Sequence, residues 1–316
     1  MADKIATRQS YGEELAALGA KHPNLVVLDA DLSGSTMTKF FKKEYPDRFI
    51  NAGIAEQDMY GMAAGLAASG KIVVASTFAM FATGRAFEII RNSIGYTHLN
   101  VKVCATHAGV TVGEDGASHQ CIEDLALMRA IPGMTVVNPA DATSSKLLLD
   151  QVVAMEGPAY MRFGRAAVPV FYGPDAKLQI GKAGLLKDGR DATIIATGIE
   201  VAEAYAAAEQ LAAEGISVRV LDMHTIKPID EDAILAAARE TGRIVTAEEH
   251  TVAGGLGSAV AEVLTTGGKS GSPCPVPMKM IGIQDRFGQS GTPAQLMEEY
   301  GLTAGHIAAA VKALLK

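Results

Sequence analysis

Two histidines and two carboxylates share one glycine-bearing stretch, HAGVTVGEDGASHQ, at residues 107–120. Its imidazoles, His107 and His119, stand twelve residues apart with three glycines between them, a loop that no helix could span. Three kinds of chemistry suit such a set. His107, Asp115 and His119 could ligate a metal, because imidazole and carboxylate are common zinc ligands. They could hydrogen-bond a polyol such as a sugar. They could also be loop residues that satisfy backbone groups. The metal reading comes last of the three. No third histidine or cysteine stands nearby to close a zinc site, and Cys121 points away if a helix begins there.

Other residues could work beside them. Glu56 opens an otherwise apolar segment, GIAEQDMYGMAAGLA. It reads either as a first-turn glutamate favoured by the helix dipole or as a buried carboxylate suited to proton exchange. Phe78 and Phe81, in STFAMF, are three apart directly after a run that reads as a strand. That spacing suits a core, or a wall against which a flat heterocycle stacks. Arg8 in ATRQS and Arg162 in PAYMRFGR are candidate anion binders, since a guanidinium suits bidentate phosphate contacts; a solvated surface arginine is the alternative for each. His224 and His250 read as structural. No GxxxxGK[ST] and no strand-linked GxGxxG occurs, and GGLGS at 254–258 is a lone glycine cluster.

Those residues need a scaffold. Short apolar runs alternate with amphipathic segments: LVVLDA (25–30), KIVVAST (71–77), VKVCAT (101–106), MTVVNP (134–139) and PAYMRF (158–163) read as buried strands. The rhythm breaks over VPVFYGPDAKLQIGKAGLLKDGRD, then restarts with ATIIAT, SVRVLD, RIVTAEE and MKMIGI. Strand–helix alternation predicts mainly parallel sheets with helices on both faces. The fold class is therefore α/β: two doubly wound domains at 1–170 and 191–316, joined by a linker over 171–190. In such sheets ligands gather at the carboxyl ends of strands. The polar loops DADLSGST, NAGIAEQDM and THAGVTVGEDGASHQ each follow a strand, and so outline one rim.

Composition bounds the partners. The chain has 316 residues, 48% of them hydrophobic and 20% charged, and a formal charge of −7, with no basic stripe. That argues against a nucleic-acid surface. No apolar run is long enough to span a bilayer, so no membrane partner is expected. Cys104, Cys121 and Cys274 are scattered, which fits a reducing cytoplasmic compartment.

The ordered succession ATRQS, ADLSGST, GIAEQDM, STFAMF, THAGVTVGEDGASHQ, MTVVNPAD, MRFGR, LDMHTIKPID and EEH resembles the carboxyl-terminal half of transketolase. That half is the pyrimidine-binding domain followed by the family's C-terminal domain, and the resemblance covers nearly the whole chain. It implies thiamine diphosphate as cofactor and transfer of a two-carbon glycolaldehyde unit from a ketose phosphate to an aldose phosphate. It implies that Glu56 bonds N1′ of the cofactor's aminopyrimidine, with Phe78 and Phe81 as the aromatic wall and Asp31 as a polar contact. It places His107 and His119 on the donor's reacting oxygens and Asp115 on its hydroxyl stereochemistry. Arg8, Ser35 and Arg162 would hold the sugar's terminal phosphate.

Two departures stand out. Gly84 occupies a place where many transketolases have a tyrosine, and no GDG-to-asparagine segment for the diphosphate and Mg²⁺ (or Ca²⁺) occurs in the chain. The expected assembly is a split enzyme, in which an N-terminal partner subunit carries that half-site. Self-association through both domains would give a pair of each chain. LDMHTIKPID also looks like the deoxyxylulose-phosphate synthase and pyruvate dehydrogenase β-chain versions of the domain. A β-type subunit of another thiamine enzyme, or a non-catalytic partner chain, is the alternative.

Overall fold

The computed structural model describes residues 3–316. Its strands are β1 (Lys4–Ala6), β2 (Leu25–Asp29), β3 (Phe49–Asn51), β4 (Ile72–Ser76), β5 (Val101–Thr106), β6 (Thr135–Val137) and β7 (Ala159–Phe163), then β8 (Ala167–Pro169), β9 (Gly184–Lys187), β10 (Ala192–Ala196), β11 (Val218–Asp222), β12 (Thr225–Lys227), β13 (Ile244–Thr251) and β14 (Met278–Ile283). Seven of them form one sheet in the order β12-β6-β7-β5-β4-β2-β3, and five form a second in the order β14-β13-β10-β11-β9. Within the first sheet every pairing is parallel except β12 on β6; within the second only β9 on β11 is antiparallel. β1 and β8 form a small antiparallel pair.

The strand sequences explain this arrangement. β2, β5, β7 and β10 are buried at every position, as strands covered on both faces must be, so they are mostly apolar rather than alternating, with charged residues such as Lys102 and Arg162 as buried exceptions. One apolar layer, with Tyr11, Leu15, Leu25, Val27, Leu148 and Met161, covers one face of the first sheet. The layer on its other face is shared: Met128, Val136 and Tyr160 pack in one cluster with Ile195, Ile226 and Leu235 of the second half. Burying each such side chain contributes about 1.5–3 kcal/mol. A common core of this kind fixes the two sheets against each other.

Two details depart from the sequence expectation. The stretch read as a linker contains β9, which is an edge strand of the second sheet. LDMHTIKPID contributes β12, which crosses back to the first sheet and pairs with β6. Lys227 anchors that crossing by donating to the carbonyls of Arg129 at 2.8 Å and Ile131 at 2.6 Å, where the helix Asp124–Ala130 ends. No described helix is long and apolar enough to cross a membrane.

Candidate active site

The carboxyl ends of β2, β3, β4 and β5 lead into the segments that carry Asp31 and Ser35, Glu56, Phe78 and Phe81, and His107, Asp115 and His119. His107 follows β5 in a left-handed conformation, φ 58°, which turns its ring back over the sheet edge. The ring stacks on Phe78, centroids 3.8 Å apart. Arg8, on the helix Thr7–Lys21, donates through Nη1 to the Ser35 carbonyl at 2.9 Å and to His107 Nε2 at 3.2 Å. A guanidinium can only donate, so Nε2 is the acceptor. The ring proton then belongs on Nδ1, 2.9 Å from the Thr106 hydroxyl. Burial, followed by the charges of Arg8, Arg165 and His119, pushes His107 down to about 3. The imidazole is neutral at physiological pH.

The aromatic group extends outward. Phe81 stacks loosely on Phe78 at 5.9 Å and meets the His119 ring edge-on at 5.5 Å. Ser118 lies with its hydroxyl 2.9 Å from His119 Nδ1. The two imidazoles therefore converge on one aromatic surface, although the sequence separates them widely. A cleft of about 440 Å³ opens beside it, lined by Met80, Phe81, Arg85, Ser118, Gln120 and Phe287.

Glu56 begins the helix Glu56–Ala68 and is only 4% exposed. Among the described residues its salt-bridge partner is Arg85, with Nη1 3.6 Å from Oε2; the same guanidinium lies 5.5 Å over the Phe81 ring. One turn further on, the buried Tyr60 hydroxyl has no hydrogen-bond partner among the described residues. Gly84 sits in a π-helical turn, Met80–Arg85, and a Cβ there would run into the end of the Met80 side chain. Met80 fills the space that a larger side chain at 84 would claim.

The loop after β2 is shaped from below. Asp29 accepts from Leu32 N at 2.6 Å, Thr36 Oγ1 at 2.7 Å and Thr38 Oγ1 at 2.9 Å, which fixes the short helix Ser33–Thr36 that carries Ser35. Asp31, at φ 64°, is clasped by Asn51: Asp31 N donates to Asn51 Oδ1 at 3.0 Å, and Asn51 Nδ2 donates to Asp31 Oδ1 at 2.9 Å. Asn51 escaped notice in the sequence because a strand-ending asparagine carries no distinctive spacing.

One expectation is corrected. Arg162 does not reach the rim. It is 4% exposed, with Nε 2.8 Å from Asp124 Oδ2 and Nη2 donating to the Glu249 carbonyl at 2.8 Å. Burial opposes its charge, but Asp124 and then Glu249 outweigh that and raise its pKa. A group so enclosed cannot also bind a substrate phosphate. The arginine at the rim is Arg165, just beyond the end of β7. It donates to the Val112 carbonyl, and its Nη1 lies 3.6 Å from Glu114 and 3.8 Å from Asp115. The position was readable: on a strand buried on both faces, only a residue past its carboxyl end reaches the ligand edge.

His224 and His250 are buried, and burial pushes each down to about 4. Their Nδ1 atoms lie 2.9 Å from the Thr225 hydroxyl and 2.6 Å from the Thr251 carbonyl. Among the described residues no group of three or more His, Cys, Asp or Glu converges as a metal site.

The strand ends of the mainly parallel first sheet thus gather a helix-start carboxylate, stacked aromatic rings and two imidazoles, with Arg8 and Arg165 beside them, in a two-domain α/β chain. Residues 3–170 match the family described as transketolase, pyrimidine binding domain, and residues 181–307 that described as transketolase, C-terminal domain. The chain belongs to the transketolase family. It is 53% identical to a Methanocaldococcus jannaschii protein named as a transketolase C-terminal section, over 95% of this chain and 93% of that one. It is 43% identical to a 6-deoxy-6-sulfo-D-fructose transketolase subunit of a Clostridium species, over 95% and 91% of the two chains. A solved structure titled as a split gene transketolase, inactive beta4 tetramer, superposes with a TM-score of 0.90 at 54% identity, covering 98% of both chains.

Proposed function

We propose that this chain is the C-terminal subunit of a thiamine-diphosphate-dependent transketolase, active with an N-terminal partner subunit that holds the diphosphate and its divalent cation. The observation that carries the reading is the gathering of Glu56, Phe78, Phe81, His107 and His119 on one rim, with Arg8 beside His107 and Arg165 beside Asp115. The names of the relatives support a two-chain enzyme: one is a C-terminal section, another a subunit.

The residues present fit the cofactor's aminopyrimidine. A nearly buried carboxylate, a partly open aromatic face at Phe81 and an unpartnered Tyr60 hydroxyl suit a flat heterocycle that needs one acceptor and one apolar wall. When bound, thiamine diphosphate supplies a nucleophilic carbon and an electron sink for the two-carbon unit. Glu56 holds a proton against the ring nitrogen and exchanges it. His107, held neutral with Nε2 as an acceptor, contacts a donor hydroxyl by hydrogen bonding. His119 contacts the oxygen whose charge changes, and Asp115 reads a further hydroxyl. Arg8 and Arg165 bind the anionic end of the sugar, with Ser35 beside them. The enclosed Phe78–His107 stack keeps water from the reacting end.

The test is calorimetric titration of the purified chain with thiamine diphosphate and Mg²⁺, alone and with the N-terminal chain, coupled to a ketose-to-aldose transfer assay. Tight binding and transfer only in the mixture are expected. Turnover by this chain alone, or oxidative decarboxylation in place of transfer, would overturn the proposal.

A further inference from the structure

We infer that Glu249, a residue of the second domain, positions the loop that carries His107, Asp115 and His119; this inference rests on the transketolase reading of that loop. Glu249 lies on β13 and is 2% exposed. Its Oε1 accepts from the Thr111 amide at 2.5 Å. Thr111 sits in a short 3₁₀ turn, Val110–Val112, four residues from His107 and four from Asp115, so this contact pins the middle of the segment between them.

The surroundings are shaped to that contact. Gly109 adopts φ 80°, and a Cβ there would collide with the Glu249 carboxylate. Glycine is required both by the left-handed backbone and by the close approach. Arg162 donates to the Glu249 carbonyl at 2.8 Å while its Nε bonds to Asp124, so a buried pair of the first domain fixes the backbone from which the carboxylate reaches. The loop's inward ties besides this one are neutral amide contacts: Gly109 N to the Cys121 carbonyl at 2.7 Å, and Gln120 Nε2 to the carbonyls of Val110, Gly113 and Gln289 at 3.0, 3.1 and 2.9 Å; its charged ties to Arg8 and Arg165 are on the rim side. Glu249 is the carboxylate among these attachments. Through Val112, whose carbonyl accepts from Arg165, the same turn also sets the rim arginine.

Burying a carboxyl group costs free energy unless its bonds compensate. Burial raises Glu249 to about 7, with Arg162 and the Thr111 amide acting to lower it. An apolar residue would pack there more cheaply, but it offers no acceptor to the Thr111 amide. The role needs an acceptor oxygen at the end of a two-methylene arm. Glutamine supplies one; aspartate is too short and alanine has none.

The test has two arms. In the isolated full chain, hydrogen exchange is followed at the Thr111 amide and its neighbours, which requires neither partner nor cofactor. Glu249→Ala and Glu249→Asp are expected to speed exchange at Thr111 by about tenfold or more, and Glu249→Gln to restore protection. In the reconstituted pair, the Ala and Asp variants are expected to lower kcat by about tenfold or more with thiamine diphosphate affinity unchanged, and Gln to recover most of that loss. If Ala fails to fold, Asp carries both arms. Unchanged exchange and unchanged kcat in a folded Asp variant would overturn the inference, as would a Gln variant as impaired as Asp. A wild-type pair that transfers nothing defeats the proposed function instead, and the exchange arm still decides whether Glu249 holds the loop.

Discussion

Arg162 and Arg165 stand three residues apart, and the structure assigns them opposite consequences on removal. Asp124 is fully buried and accepts from Arg162 Nε at 2.8 Å and from the Tyr160 hydroxyl at 2.6 Å. Arg162→Ala leaves that carboxylate with the phenol alone, and frees the Glu249 carbonyl as well. Breaking a buried ion pair from one side costs about 3–5 kcal/mol. For 316 residues the unfolding entropy corresponds to about 0.7 kcal/mol per degree, so the melting midpoint should fall by about 5–8 °C. Arg165 is partly solvated, with 36% of its side chain exposed, and its carboxylate neighbours lie at 3.6 and 3.8 Å. Its loss should cost about 1 kcal/mol or less and leave the midpoint nearly unmoved. Arg165→Ala should instead raise KM for donors with an anionic terminus more than for neutral ones, with a smaller change in kcat. Thermal unfolding by circular dichroism at one fixed protein concentration, followed by donor kinetics on the reconstituted pair, separates the two. A stable Arg162→Ala variant with selectively raised KM for phosphorylated donors would refute the burial argument.

Glu56→Gln should keep the fold and lose most turnover, because it preserves shape and removes the exchangeable proton; near-normal kcat at saturating cofactor would reject the proton-exchange role. The His107 ring should give a flat NMR titration from pH 8 to 5, since its folded value is depressed to about 3. Its share of stability is whole above about pH 6.5 and is lost as the pH falls toward 3, so an inflection near pH 6.5 in the intact chain would contradict the enclosed geometry. His119→Ala in the reconstituted pair should lower turnover with ketose donors and leave cofactor binding nearly intact, which calorimetry checks directly.

Much of this fold was legible in the sequence because strands covered on both faces announce themselves as unbroken apolar runs. LVVLD and ATIIA carry that signature, VKVCAT carries it apart from Lys102, and all three lie inside the two main sheets. β9 and β12 carry almost none. GLLK and TIK are four and three residues long, too short for a period to show, and each pairs at an edge chosen by the tertiary packing. The rim was legible as well, since polar loops follow strands there. Arg162 was misplaced because a guanidinium in a strand looks alike from either side of the backbone; only the neighbouring Asp124, distant in sequence, shows which way it is held. The Asp31–Asn51 clasp and the approach of Glu249 to Gly109 join segments 20 and 140 residues apart, and no local pattern encodes such contacts.

The return of β12 to the first sheet bears on how this chain can be recombined. Thr225 and Lys227 pair with Val137 and Val136, so the second half supplies the outermost strand of the first half's sheet. A cut near residue 180 therefore does not release two finished modules: it strips β6 of its neighbour and opens a hydrogen-bonding edge of the kind that recruits stray strands. Exchanging the second half with that of a relative would import a foreign strand, and it would have to match both the β6 register and the Lys227 anchor. The unit to move or fuse in a chimera is thus the pair of domains, and a boundary drawn between them by sequence similarity marks a change of sheet rather than a place where the molecule comes apart.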